Sequence, residues 1–423
     1  MQGRYKRISR GKSEKIKVEL KQNKISNCRI CGSRELQTVI LLKNMPLTDE
    51  FITKENRGKE FLGDIEIAIC IRCGCSQNIN NTEMDDYYNE YTYSVQSSGF
   101  AIQFMKTLAE RAKERYFKTI ASPKVIEIGS GTGEQLLEFK KLGFEVLGVE
   151  PSEKLVEFAN GIGIPTLHAF FDEHIGDKLP EKFQKVDLVI SSYTFDHVPQ
   201  PVSVLMKIHS ILIPGGIMIH EVHDLDLIKQ RNEFCLFEHE HYTYLNERTM
   251  SFVLGSNSFE TDTFDLLTQK EKRANSLLVA VRKINSSKKY PFDIEFEAAE
   301  LKTLNENVIR SIDRIQSWLR DNASAKIVAY GAGGRGIMTI AALNNFSGIS
   351  YIVDKNPKSK NIFSPKSHLP VFGIEELGKN RADKILVFSF GYYNEIVSEL
   401  GAKFNYRPDQ FTSILELLEL KHA

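Results

Sequence analysis

Four of the six cysteines stand in two tight pairs, Cys28-x-x-Cys31 and Cys70-x-x-Cys73. Each pair puts two thiols on one short turn, and two such turns supply the four soft ligands of a tetrahedral Zn2+ ion. Gly32 and Gly74 directly follow the pairs and suit the tight turns this requires. With four protein ligands no coordination position stays open, so the ion is expected to be structural. Unliganded thiols are the alternative. Cys75 competes with Cys73 for the fourth place, and Cys235 reads as an ordinary buried thiol.

A second chemistry is expected in KVIEIGSGTGEQLLEF, where a short apolar strand (Val125 to Ile128) runs into a helix through Gly129-Ser130-Gly131-Thr132-Gly133. Glycines there let the backbone approach a ligand closely, and the helix start offers unpaired N–H donors. The next strand, EVLGVEPS, ends in Glu150-Pro151, placing a carboxylate where both hydroxyls of a ribose bind at the strand C-termini. Tyr193, Asp196 and His197 lie just past the strand in VDLVISSYTFDHV, again where such folds bind ligands. His197 either touches substrate or caps the following helix.

The densest set of proton-moving groups is Glu238-His239-Glu240-His241, followed by Tyr242 and Tyr244. In an extended segment the two glutamates face one way and the two histidines the other. A histidine titrating near neutrality suits proton abstraction, and a neighbouring carboxylate fixes its tautomer and raises its basicity. His241 is therefore the candidate base, and Glu240 the group expected to orient it. A second metal site or a solvated polar loop is the alternative. A further Gly-rich turn, Gly331-Ala332-Gly333-Gly334-Arg335-Gly336, follows the strand in AKIVAY, and Asp354 comes about twenty residues later, the spacing of a ribose-binding carboxylate in a dinucleotide fold. Gly333 and Arg335 at that helix start are suited to a pyrophosphate.

Elements that alternate strand and helix must position these groups, so the fold class is α/β: a doubly wound, mostly parallel core with a small N-terminal zinc-binding domain and a C-terminal Rossmann-like domain. The expected divisions are a basic tail (1–24), a zinc-binding domain (25–85), a central domain (86–285), a linker with a connecting helix around Trp318 (286–325) and the C-terminal domain (326–423). The 38 residues between the cysteine pairs are expected to form a small sheet, and residues 100–120 an amphipathic helix. At 423 residues, 42% hydrophobic and 26% charged, the chain can bury normal cores. Lys+Arg and Asp+Glu balance at 55 each, which excludes a global attraction to nucleic acid or anionic lipid. The N-terminal residues hold no apolar run long enough for a secretory segment or a membrane span. The expectation is a cytoplasmic protein without nucleic-acid or membrane partners, with a solvated basic tail; a monomer and a homodimer fit equally.

The phrase EIGSGTG, with an acidic residue two before the first glycine, resembles motif I of class I methyltransferases. The resemblance implies S-adenosylmethionine as cofactor, with Glu127 at its methionine end. Together the cysteine pairs, MPLTDEFI, EIGSGTG, SYTFDHV and EHEHYTYL resemble the sugar C-methyltransferase family of deoxysugar pathways, over nearly the whole chain from about Cys28. Members of that family carry Tyr-His-Glu-His where this chain has Glu238-His239-Glu240-His241, which implies roles on the sugar for Glu240 and His241. At the family's Tyr position stands Glu238, and an ionised carboxylate would repel an enolate oxygen that a phenol would stabilise; Tyr242 or Tyr244 substitutes, or the substrate differs. The resemblance also places DDYYNEYTYS over the methyl donor, with Tyr91 and Tyr93 lining the pocket, and assigns the C-terminal unit to a nucleotide-sugar. Phe390 and Gly391 stand where relatives have Trp-Asn.

The implied reaction is C-methylation of a nucleotide-linked keto-sugar, by proton abstraction alpha to the ketone and attack of the enolate on the methyl group. O-methylation of a sugar hydroxyl needs a base but no enolate-stabilising phenol, and fits Glu238. An NAD-dependent oxidoreductase using the 331–336 turn and a zinc scaffold acting through the basic tail are the competing classes.

Overall fold

The computed structural model describes residues 20–48, 50–84, 87 and 88, 99–357 and 359–418. Most of the expected basic tail, and Tyr91 and Tyr93, lie outside the described residues. The cysteine-bearing part is a small antiparallel sheet. Strands β1 (Gln22–Lys24) and β5 (Asn80–Thr82) form one ribbon, and β2 (Leu36–Pro46), β3 (Leu62–Cys70) and β4 (Ser76–Asn78) form three strands of a four-stranded sheet. In β3 the alternation in GDIEI buries Ile65 and Ile67 against Leu42 and Ile40 of β2. That register sets Leu36 opposite Cys70, which brings the two cysteine turns to the same end of the hairpin.

Helix α1 (Gly99–Tyr116) then leads into the central sheet. Its strands are β6 (Lys124–Ile128), β7 (Glu145–Glu150), β8 (Thr166–His168), β9 (Val186–Ser192) and β10 (Leu212–His223), alternating with α2 (Glu134–Lys141), α3 (Glu153–Gly161) and α4 (Pro201–Ile211). Helix α5 (Leu225–Arg231) follows β10, and a short strand β11 (Thr243–Tyr244) leaves this unit to pair with β4. The chain returns through α6 (Glu247–Ser256) and closes the sheet with β12 (Phe259–Thr263) and β13 (Ser276–Lys283). The order is β12-β13-β10-β9-β6-β7-β8, parallel from β10 to β8 and antiparallel at the β13 and β12 edge. The near-continuous apolar runs in β6 and β9 fit strands covered on both faces.

Residues 286–325, expected to link two domains, carry more weight than a linker. Asp293 caps α7 (Ile294–Asp321), its carboxylate accepting the Phe296 N–H at 3.0 Å. One stripe of α7, Leu301, Leu304, Val308, Ile315 and Leu319, enters a core that also holds Ile40 and Met45 of the first sheet and Ile327 and Ile352 of the last. Each such side chain stabilises by about 1.5–3 kcal/mol when fully buried, so α7 joins the outer units through one shared core. The last sheet has the order β16-β17-β15-β14-β18-β19 and contains β14 (Ile327–Tyr330), β15 (Ile349–Asp354), β16 (Ile362–Phe363), β17 (Pro370–Gly373), β18 (Lys384–Val387) and β19 (Phe411–Ser413), with α8 (Gly334–Ala342) after β14. Backbone bonds between Ile52 and Phe363 and a hydrogen bond between Glu60 and His368 Nε2 at 2.6 Å clip the first unit to it directly. Among the described residues no helix is long and apolar enough to cross a membrane.

His220 on β10 is fully buried, with both ring nitrogens unpaired and the ring stacked on Phe195 at 4.7 Å. Desolvation lowers its pKa to about 3. Unfolded histidine takes up a proton below about pH 6.5. The native residue refuses that proton until about pH 3, so its cost is absent above pH 6.5 and grows as the pH falls towards 3. His220→Phe is therefore expected to differ from the wild type in urea stability by a constant amount above about pH 7, and to gain on it progressively below pH 6, by up to about 1.4 kcal/mol of unfolding free energy per pH unit. Parallel midpoints for the two proteins at every pH would exclude the effect.

Candidate active site

The four cysteines of the two pairs meet at one point: Cys28, Cys31, Cys70 and Cys73 each offer a sulfur, all within 4.8 Å of one another. Two of the separations, Cys28 to Cys73 at 3.7 Å and Cys31 to Cys70 at 3.6 Å, are near the roughly 3.8 Å that tetrahedral coordination at about 2.3 Å requires. Cys75 stays outside the group, its thiol on the Cys73 carbonyl at 3.7 Å, so the choice between them falls to Cys73. The Gln77 amide and the Ile30 N–H both donate towards the Cys28 sulfur, at 3.2 and 3.4 Å, as groups around a thiolate ligand do. Cys235 is buried in the shared core.

A cavity of about 1600 Å³ opens at the C-terminal ends of the central strands. One wall is the turn after β6, where Gly129 and Gly131 adopt positive φ and a side chain at Gly129 would strike Thr194. Glu150, at the end of β7, accepts the N–H of Gly131 through one oxygen and of Ser152 through the other, both at 2.9 Å. Burial raises its pKa, with those bonds opposing. Glu127 also lines the cavity, is buried, and has one oxygen without a hydrogen-bond partner; desolvation, reinforced by the Glu134 charge, holds its pKa well above the usual carboxylate range. Ser130, Pro151 and Tyr193 share the lining, and Tyr193 takes a left-handed backbone (φ 48°). Gly133, the N-cap of α2, packs against Ile164 and is not among the lining residues.

The segment 238–241 is a turn and not the extended strand expected, closed by the His241 N–H on the Glu238 carbonyl at 3.3 Å. The turn abolishes the alternation. Glu238, Glu240 and His241 converge, each offering one atom within 4.8 Å of the others, and all three line the cavity. His239 points the other way, its Nε2–H on the Met45 carbonyl at 2.9 Å. The group is buried, so the solvated-loop reading fails. The Leu236 carbonyl orients the ring as well, accepting from His241 Nδ1 at 3.0 Å. A carbonyl can only accept, so Nδ1 carries the proton and Nε2 the lone pair. Tyr244 does not reach the cavity; its hydroxyl lies between the Glu238 N–H and the Leu236 carbonyl. Tyr242 lines it, with its hydroxyl on the Thr82 carbonyl at 2.7 Å.

Tertiary structure adds His223, which the residue pattern did not single out, to Asp196 and His197. His223, at the end of β10, lies 4.8 Å from the His241 ring and donates Nδ1–H to Asp196 at 2.9 Å. Its position at the C-terminal end of a core strand was a legible signal. His197 does not cap α4; its ring meets His241 at 4.7 Å and its Nδ1 the Tyr88 hydroxyl at 2.8 Å. Burial lowers the His197 pKa to about 3, and burial likewise lowers that of His223, so both stay neutral at working pH. Hydrogen bonding from His223, with the nearby imidazoles, holds Asp196 below the usual carboxylate range against its burial.

From the other side the turn after β14 brings Gly333, Gly334 and Arg335 to the same cavity. Arg335 donates Nε–H to the buried Glu233 at 3.1 Å, which ties the last unit to the central one. The carboxylate of Glu238 lies against Gly334, where a side-chain carbon would sit 2.9 Å from its oxygen. Asp354 repeats the arrangement of Glu150, accepting the N–H groups of Ala332 and Asn356 at 2.9 Å each.

Three family models match consecutive parts of the chain: a zinc binding domain over residues 28–88, a methyltransferase domain over 101–262 and a C-methyltransferase C-terminal domain over 283–411. C-methyltransferase NovU of Streptomyces niveus is 26% identical over 387 residues, covering 88% of this chain and 91% of NovU. The chain belongs to the C-methyltransferase family. An uncharacterized methyltransferase of Staphylococcus carnosus is 32% identical over 156 residues, covering 32% of this chain and 72% of that protein. A solved methyltransferase of Burkholderia thailandensis with bound S-adenosylhomocysteine aligns at 13% identity and a TM-score of 0.36, over 48% of this chain and 88% of that one.

As a C-methyltransferase the chain uses S-adenosylmethionine, and the residues fit it. The partnerless Glu127 oxygen suits an ammonium group, Glu150 has acceptor capacity left for ribose hydroxyls, and a side chain at Gly131 would project into open space. Glu150→Ala is expected to raise the KM for S-adenosylmethionine about 10- to 100-fold, with a smaller effect on kcat; an unchanged KM would remove Glu150 from the site. Chelating the zinc, or Cys70→Ser, is expected to lower the melting temperature and abolish activity together, read by calorimetry and by zinc content. Full activity in a zinc-free protein would refute that coupling.

Proposed function

We propose that this C-methyltransferase acts on a nucleotide-linked keto-sugar, removing a proton alpha to the ketone and forming a carbon–carbon bond at that carbon. The supporting observation is that three features share one cavity: the turn after β6, the imidazole and carboxylates of 238–241, and the Gly-rich turn with Arg335 and Asp354. S-adenosylmethionine, when bound at Glu127 and Glu150, supplies an activated sulfonium methyl. His241 is the base, since its Nδ1–H is held on Leu236 and its Nε2 lone pair is left for the substrate. Gly333 and Arg335 receive the diphosphate, Asp354 the sugar of the nucleotide, and Tyr88 and His197 border the keto-sugar. The cavity is large enough for two ligands of nucleotide size, where a cofactor site alone commonly takes about 300–1,000 Å³.

Glu238 favours a second reading, O-methylation, because a carboxylate in place of a phenol disfavours a developing enolate oxygen. Deuterium exchange separates the two. In D2O, with S-adenosylhomocysteine in place of the methyl donor, the enzyme is expected to exchange the proton alpha to the ketone of a nucleotide-linked keto-sugar, and an O-methyltransferase to exchange none. His241→Asn is expected to slow both exchange and methylation about 10²- to 10⁴-fold. If His223→Asn abolished exchange while His241→Asn retained it, the base would be the imidazole backed by Asp196.

A further inference from the structure

The methionine end of the cofactor carries an ammonium and a carboxylate side by side. Glu127 answers the first, and nothing described so far answers the second. Arg273 lies between β12 and β13 and reaches the cavity on the side where Glu127 stands. Its Nη1 is 3.2 Å from the carboxylate of Glu221, a fully buried residue at the end of β10 that also accepts from the Ser276 hydroxyl at 2.8 Å. The guanidinium plane is flanked by two rings, with its central carbon 4.4 Å from the centroid of Phe104 on α1 and 5.1 Å from that of Tyr193. Two aromatic faces and one carboxylate hold a planar group with five donors in a single orientation. The Glu221 contact is an ion pair at Nη1 that leaves that Glu221 oxygen without a hydrogen bond.

We propose that Arg273 binds the carboxylate of the methionine end of S-adenosylmethionine, opposite Glu127, which takes the ammonium. A zwitterion then lies between a carboxylate and a guanidinium, each facing its opposite charge in a buried site where such bonds are strong. The charge of Arg273 already acts on Glu127, opposing the burial that raises its pKa. Neighbouring cations are placed for other work. Lys272 donates to the Phe264 carbonyl at 2.7 Å, and Arg335 to Glu233. Tyr193 acquires a reason for its left-handed backbone: that conformation turns the chain at the end of β9 while its ring packs on Arg273 and its hydroxyl donates to the Asn275 carbonyl at 3.1 Å. Arg273 on this view is a cofactor-positioning residue, and the inference is independent of the sugar substrate.

Calorimetric binding with three probes tests it. S-adenosylhomocysteine carries the full amino-acid end, its decarboxylated analogue lacks only the carboxylate, and 5′-methylthioadenosine lacks both charged groups. The wild-type protein is expected to bind the decarboxylated analogue about 10- to 100-fold more weakly than S-adenosylhomocysteine, the range for one charge-assisted bond. Arg273→Gln is expected to weaken S-adenosylhomocysteine by a similar factor, leave 5′-methylthioadenosine unchanged and abolish the discrimination against the decarboxylated analogue, with Arg273→Lys between. Equal weakening of S-adenosylhomocysteine and 5′-methylthioadenosine would assign Arg273 a purely structural role. Equal affinity of the wild-type protein for S-adenosylhomocysteine and its decarboxylated analogue would overturn the proposal without any variant.

Discussion

A two-residue ladder governs how the 238–241 turn reaches the cavity. Thr243 pairs with Gln77 and Tyr244 with Ser76, so the segment that follows this turn is the edge strand of the zinc-domain sheet. Gln77 in turn donates to Cys28. The metal centre, the sheet edge and the 238–241 turn thus form one mechanical unit, and a structural ion at a distance from the chemistry still sets where His241 stands. So short a ladder is marginal alone. It is secured at its end by Asn246, which caps α6 through Thr249, and by the Tyr242 hydroxyl on the Thr82 carbonyl.

Electrostatics shapes the cavity that results. Carboxylates at 127, 150, 238 and 240 are buried around it, with neutral imidazoles at 197 and 223. Buried carboxylates without full hydrogen bonding are costly, and Glu127 shows this as a raised pKa. A cationic ligand relieves that cost, and the preference for a sulfonium and ammonium compound follows from the wall itself. The opposite wall holds Arg335, paired with Glu233, beside the carboxylate of Asp354.

Part of this was legible in the residues because it depends on local geometry. Cys-x-x-Cys repeated twice specifies tetrahedral sulfur ligation whatever the sheet does, and a strand, a GSGTG turn and a helix specify a ligand-binding crevice through backbone conformation alone. The β7 carboxylate at Glu150 follows from strand period and length. The clustering of 238–241 did not follow, because the alternation rule assumes an extended chain and the segment turns. His239 therefore leaves the site, Tyr244 becomes a support, and the Leu236 carbonyl holds Nδ1 of His241.

The sequence by itself determined the class of chemistry: a zinc knuckle, a Gly-rich turn for a nucleoside cofactor, a second such turn, and a store of imidazoles and carboxylates between them. Those are properties of neighbours along the chain. Only tertiary structure decided which of the stored groups meet, since Asp196, His223 and His241 come from three separate segments, and Arg273 enters from a loop with no motif. Side-chain direction at a turn, and the identity of a partner that is distant in sequence, depend on packing across elements, and no spacing rule carries that information.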